Sequence, residues 1–176
     1  IRIFPEERAG LVQLIEQILA EDVLNNRKTL PGHITGGALV LSPDRTKLLV
    51  IHHNLFDMWL QPGGHWDPNE SSPWAAAKRE AEEETSVQIA EQLPAVSDDP
   101  SIPLDIGVHL IPARPEMDEP PHTHYDFRYV FLAKDEELQY LAKEVSASEW
   151  MTFDDPRITG LKPIIDKLGQ FELITT

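Results

Sequence analysis

The chain has 176 residues, with 30 Asp and Glu against 15 Lys and Arg and a formal net charge of −15. That balance argues against a nucleic-acid partner, whose phosphates are bound by clustered cations; the lack of cysteine excludes disulfides and thiolate catalysis and fits a cytoplasmic setting. No apolar run is long enough to span a membrane, no signal peptide is visible, and the length suits a single domain over residues 1–176 with a full core.

In chain order, Leu11, Leu14, Ile15, Ile18 and Leu19 recur at helical spacing. They predict an amphipathic helix from about Pro5 to Asn25, within a segment 1–28 that caps the domain or pairs with a second copy as a homodimer. His33–Leu41 and Lys47–His53 predict apolar strands, joined as a hairpin by the turn-forming Ser42-Pro43-Asp44-Arg45-Thr46. Asp57–Gln61 predicts a short strand that delivers the chain into Pro62-Gly63-Gly64. His65, next to that double glycine, is expected to line a cleft.

A helix is predicted to open at Pro73, with Ser72 as its N-cap. At 100° per residue, Glu80, Glu83 and Glu84 fall within about 100° of one another, beside an apolar stripe of Trp74, Ala77, Ala81 and Thr85. Glu80 with Glu84, and Glu80 with Glu83, are like-charge neighbours costing roughly 0.2–0.5 kcal/mol each, and all three lie toward the negative end of the helix dipole. Arg79 reaches Glu83, while no basic residue is expected beside Glu80 or Glu84. A solvated acidic face is the ordinary reading of such a run. A bound Mg²⁺ or Mn²⁺ would reverse the electrostatics, since all-oxygen ligands suit hard cations.

Val87–Ala90 predicts a short strand and Ile102–Ile111 a longer one; Pro112–Pro121, with four prolines, reads as a loop or flap. In His124–Ala133, the clearest strand, Tyr125, Phe127, Tyr129 and Phe131 point one way, and His122, His124, Asp126 and Arg128 the other. The second face is either open to solvent, as alternation produces in antiparallel sheets, or turned to a substrate cleft. In the cleft Arg128 would bind phosphate, with the histidines binding substrate or a further metal. His33 and His109 carry no signal of their own. Val145–Phe153 predicts a last strand and Ile158–Leu168 a closing helix. Strands interleaved with three helices predict an α/β fold, a mixed sheet between helices, with its core over 30–155 and a C-terminal helix and tail over 156–176.

The spacing of Gly64, Glu70 and Arg79-Glu80-Ala81-Glu82-Glu83-Glu84 resembles the Nudix box. Chance agreement at six specified positions is on the order of one in ten thousand. The family pattern has seven residues between its first glutamate and the arginine; Ser71 to Lys78 makes eight here, which leaves open whether Glu70 supports Arg79. Ser86 stands where the family has glycine, at a left-handed helix end where serine costs about 1 kcal/mol.

The resemblance implies an α/β/α sandwich and hydrolysis of a pyrophosphate linkage in a small nucleoside diphosphate joined to another group. It also implies metal ligation by Glu80, Glu83, Glu84 and the neighbourhood of Gly64, with Arg79 orienting the carboxylates. It leaves the general base open among the glutamates, with Glu83 favoured. A non-catalytic sensor of the same fold is the competing reading, against which the full set of carboxylates stands.

Overall fold

The computed structural model describes residues 4–115, 118–139 and 145–175. Its first strand, β1 (Gly32–Leu41), is buried at every position. On one edge, the parallel partner β7 (His122–Ala133) runs in unbroken register from Gly32 opposite Thr123 to Leu41 opposite Leu132. On the other edge, the short antiparallel β4 (Gly63–His65) sets Thr35 opposite His65 and Gly36 opposite Gly64. A strand covered on both faces reads as a continuous apolar run, as β1 does from Gly36 to Leu41.

The expected hairpin closes over one rung only. β2 (Lys47–His53) meets β1 at Leu41 opposite Leu48, then diverges to pair with β3 (Met58–Leu60) and β8 (Val145–Thr152). The edge of β1 that a full hairpin would occupy is taken by β4, and one edge satisfies one ladder of hydrogen bonds. β5 (Ile89–Leu93) and β6 (Asp105–Ile111) both run antiparallel to β7, completing a mixed sheet.

Helices cover the two faces in alternation. α2 (Pro73–Thr85) packs Ala77 and Ala81 against Ala38, Val40, Leu49, Tyr129 and Phe131. α3 (Lys162–Gln170), entered through a 3-10 turn at Pro156–Leu161, packs Ile164, Ile165 and Leu168 against Leu39, Leu41, Leu48, Val50, Val130 and Met151. This is the sandwich expected from the order of elements. α2 approaches closely because Gly36 has no side chain: a Cβ there would lie 2.4 Å from the Pro73 carbonyl oxygen and 2.7 Å from the Ala77 nitrogen.

The N-terminal helix is shorter than its periodicity suggests, a 3-10 turn (Pro5–Leu11) followed by α1 (Val12–Leu19). The chain then turns through Glu21, in the left-handed region at φ 59°. Leu11 and Leu14 pack with Leu24 on Ile34 and Tyr125, whereas Ile18 and Leu19 face outward. Within the proline-rich flap, Glu116 and Met117 lie outside the described residues; around them Arg114 and Glu119 bond through their backbones. Among the described residues, no helix is long and apolar enough to cross a membrane.

Candidate metal and substrate site

Local signals fix the carboxylate-bearing helix at both ends. The Ser72 hydroxyl accepts from the Ala75 N–H at 3.3 Å, with Pro73 in the first turn, where a missing N–H is harmless. At the other end Ser86 takes the left-handed conformation, φ 57° and ψ 15°, and its N–H donates to the Glu82 carbonyl at 2.9 Å.

The last turns of α2 therefore present three carboxylates in three environments. Glu84 is buried, and its Oε2 accepts from the Gly63 N–H at 3.1 Å. Glu80 lies flat on Gly64, where an added Cβ would sit 2.2 Å from its Oε1. The Glu83 side chain is 61% exposed, the most open of the three. Ala77, Ala81 and Thr85 are wholly buried beside them, as the apolar stripe required.

Arg79 organises this group. Its Nε donates to Glu70 Oε1 at 2.7 Å, its Nη1 reaches Glu83 Oε2 and Glu80 Oε1, both at 2.9 Å, and its Nη2 donates to the His65 carbonyl at 3.2 Å. The extra residue before Arg79 thus leaves the Glu70 contact intact. The expectation that nothing basic lies beside Glu80 is corrected: the long Arg79 side chain folds back onto its sequence neighbour. The hydrogen bond to Glu70 leads the causes that raise the Arg79 pKa. Burial nonetheless pushes the Glu80 carboxyl up against the opposing pull of Arg79, so one guanidinium shared by Glu70, Glu80 and Glu83 does not offset the cost of burying this charge.

Oxygen-only donors, surplus negative charge and a glycine backbone held open beneath Glu80 fit a hard divalent cation. Glu80, Glu83, Glu84 and the Gly64 carbonyl are the groups that would hold it. Of these, Glu80 lines an open cleft of about 660 Å³, together with Arg27, His65, Trp66, Glu70 and Arg79 among others.

The strand face of His122, His124, Asp126 and Arg128 fits neither expectation. Gly36 and Ala38, which touch α2, stand beside Phe127 and Tyr129; His33, Thr35 and Gly37 stand beside His124, Asp126 and Arg128. The polar face is thus turned away from α2 and its carboxylates. It is also mostly buried, with His122, Asp126 and Arg128 at 6–8% exposure. Side chains from the neighbouring strands and the loop before β4 cover this face: His33, Thr35, His65, Gln61, Asp105 and His109.

This face divides in two. Arg128 binds Asp105 at 2.6 Å, Asp126 at 2.8 Å and the His109 ring at 2.8 Å, so its donors are committed inside the fold rather than offered to phosphate. Asp126 also accepts from Gln61 at 2.9 Å and from Thr35 at 3.3 Å. The second part is a cluster of imidazoles, His122 and His124 with His33 and His65. Ring centroids of His33 lie 5.0 Å from His122, 4.7 Å from His124 and 5.2 Å from His65. Burial lowers the pKa of His33, pushes His65 down to about 4 and His124 down to about 3, so these rings are neutral near pH 7. His33 was missed in the sequence. Its place opposite His124 follows from parallel pairing of strands some ninety residues apart, and its one local mark is a polar residue in an apolar run.

Comparison with known proteins adds a family and a fold. A family model described as NUDIX domain matches residues 32–170. Over 41 residues the chain is 56% identical to an RNA pyrophosphohydrolase of Rhodopseudomonas palustris (strain BisA53), a segment covering 23% of each protein. A NUDIX-family hydrolase from Clostridium perfringens superposes with a TM-score of 0.59 at 18% identity, over 80% of this chain and 97% of that one. The C. elegans Ap4A hydrolase, in a binary complex, gives 0.55 at 18% identity over 80% and 97%. The NUDIX domain of Shewanella oneidensis NrtR, complexed with ADP ribose, gives 0.55 at 18% identity over 89% and 96%. At such identities these structures speak to the fold alone.

Proposed function

The chain belongs to the NUDIX family, and from that premise we propose that it is a Mg²⁺- or Mn²⁺-dependent pyrophosphohydrolase acting on a small nucleoside diphosphate-X or related diphosphate. The observation that carries this reading is the Arg79 guanidinium joining Glu70, Glu80 and Glu83 beside a cleft. When bound, a divalent cation neutralises charge on bridging phosphates and lowers the pKa of a water. Glu80 and Glu84, with the Gly64 carbonyl, are held by burial and hydrogen bonds to present their oxygens. Glu83, the most exposed carboxylate, pairs with Arg79 through Oε2 and is the one placed to take a proton from the attacking water. His65 is among the residues that line the cleft, its carbonyl accepting from Arg79 while its ring packs against His33 and His124.

A small substrate is favoured over RNA because a net charge of −15 disfavours binding a polyanion. The relative named for RNA matches over 23% of its length, too little to carry its substrate across.

The test is phosphate release from a panel of nucleoside diphosphate derivatives with Mg²⁺ or Mn²⁺. Glu83→Gln and Glu84→Gln should each abolish turnover, and in chelator each variant should unfold at the wild-type temperature or slightly above it. The amide of Glu84→Gln keeps an oxygen to accept from Gly63. Thermal stabilisation by a nucleotide without phosphate release would replace the enzyme with a binding module.

A further inference from the structure

We propose that His33, His122 and His124 form a separate site for a divalent transition-metal ion of the Zn²⁺ kind, on the face of the sheet opposite the carboxylates. Among the described residues, this trio alone brings three His, Asp or Glu ligand atoms within 4.8 Å of one another. The rings come from adjacent strands, His33 on β1 standing directly opposite His124 on β7, so the backbone ladder positions them before any ion arrives.

Three further observations point to a ligand. His33 is 1% exposed, and neither of its ring nitrogens has a hydrogen-bond partner. Buried polar groups are almost always partnered, and an orphan calls for an explanation. The Thr29 backbone tends to raise the His33 pKa, yet forms no bond of acceptable geometry to the ring. Next, His122 Nδ1 lies 2.9 Å from the Pro120 carbonyl oxygen. A carbonyl only accepts, so the Nδ1 position carries a proton and the tautomer that can bind a metal does so through Nε2; metal-bound histidines are commonly oriented by such a contact. Finally, His122 Nε2 and His124 Nε2 are 3.1 Å apart, near the roughly 3.4 Å edge of a tetrahedron with metal–nitrogen bonds of about 2.0–2.1 Å.

A proton shared between His122 and His124 would account for their contact but would leave both His33 nitrogens orphaned; an ion accounts for all three rings. An all-imidazole set selects Zn²⁺ and its neighbours over Mg²⁺, which prefers oxygen. Three protein ligands leave one position open, and His65, with its ring 5.1 Å from His124, borders the group on the side of the cleft.

The proposal stands independently of the hydrolase reading, and its test uses no turnover. Chelator-stripped full chain is titrated with Co²⁺ and, by equilibrium dialysis with elemental analysis, with Zn²⁺, both in excess Mg²⁺. Wild type should bind one ion per chain, Co²⁺ giving the visible absorption of a low-coordinate nitrogen site that Zn²⁺ then bleaches. The Glu83→Gln/Glu84→Gln double variant should behave the same. His33→Leu, which breaks no hydrogen bond, and His122→Ala should lose the bound ion and the absorption. No stoichiometric ion in wild type overturns the site whether or not a variant folds; so does binding that survives His33→Leu or disappears in the double glutamate variant.

Discussion

Arg79 contacts Glu70 through Nε, Glu80 and Glu83 through Nη1 and the His65 carbonyl through Nη2, a geometry that a single ammonium does not reproduce. Arg79→Lys keeps the charge and releases most of these contacts. Activity and Mg²⁺ affinity should fall about 10–100-fold, the usual effect of removing a group that orients ligands, with little change in unfolding midpoint; steady-state kinetics and Mg²⁺ titration read both. Gly64→Ala tests the same site from the strand. Its Cβ would meet the Glu80 carboxylate at 2.2 Å, the far end of a flexible side chain, so Glu80 yields and Mg²⁺ affinity drops well before stability does. Equal losses in the two would mean that Gly64 serves packing instead. The neighbourhood of these residues was legible in the sequence because its spacing is local to one loop and one helix, although the fold of Arg79 onto Glu80 was not expected. The orphaned His33 was not, because its neighbours arrive from β7 and β4.

At the scale of elements, α2 was read correctly at both ends, since Ser72, Pro73 and the Ser86 position are chain-local signals. Ser86 does adopt the left-handed conformation, which a Cβ disfavours and glycine accepts. Ser86→Gly should raise stability by about 1 kcal/mol, seen as a higher denaturant midpoint at unchanged slope, and should leave Mg²⁺ affinity as it was. Elements whose limits depend on distant partners were misjudged. The β1–β2 hairpin shrank to one rung because β4 competes for the same edge, and the first helix stopped at Leu19 where the chain turns back toward β1. The polar face of β7 was buried for the same reason: strand alternation states that two faces differ, and only the topology states what covers each.

For the whole molecule, the sequence supplied the charge ledger but not its wiring. With 15 cations against 30 acids, a Lys or Arg held inside the fold has acidic partners within reach. Lys167 and Arg128 are such cations, at 7% exposure each. Both are held by Asp105: Oδ2 accepts from Arg128 at 2.6 Å and Oδ1 from Lys167, which also pairs with Glu7. One carboxylate thereby ties β6 to β7, α3 and the N-terminal turn. Removing one partner from a buried ion pair costs about 3–5 kcal/mol, because the remaining charge stays desolvated. In Asp105→Asn, Asp126 still faces Arg128 and Glu7 still faces Lys167, which places the loss near the lower bound, about 3 kcal/mol. For a chain of this length that is a fall of about 6–12 °C in melting temperature. The carboxylate site lies across the sheet, so its Mg²⁺ affinity in the folded variant should match wild type. A variant that melts normally, or one that folds but loses Mg²⁺, would show that the two faces are not divided as the β1–β7 register requires.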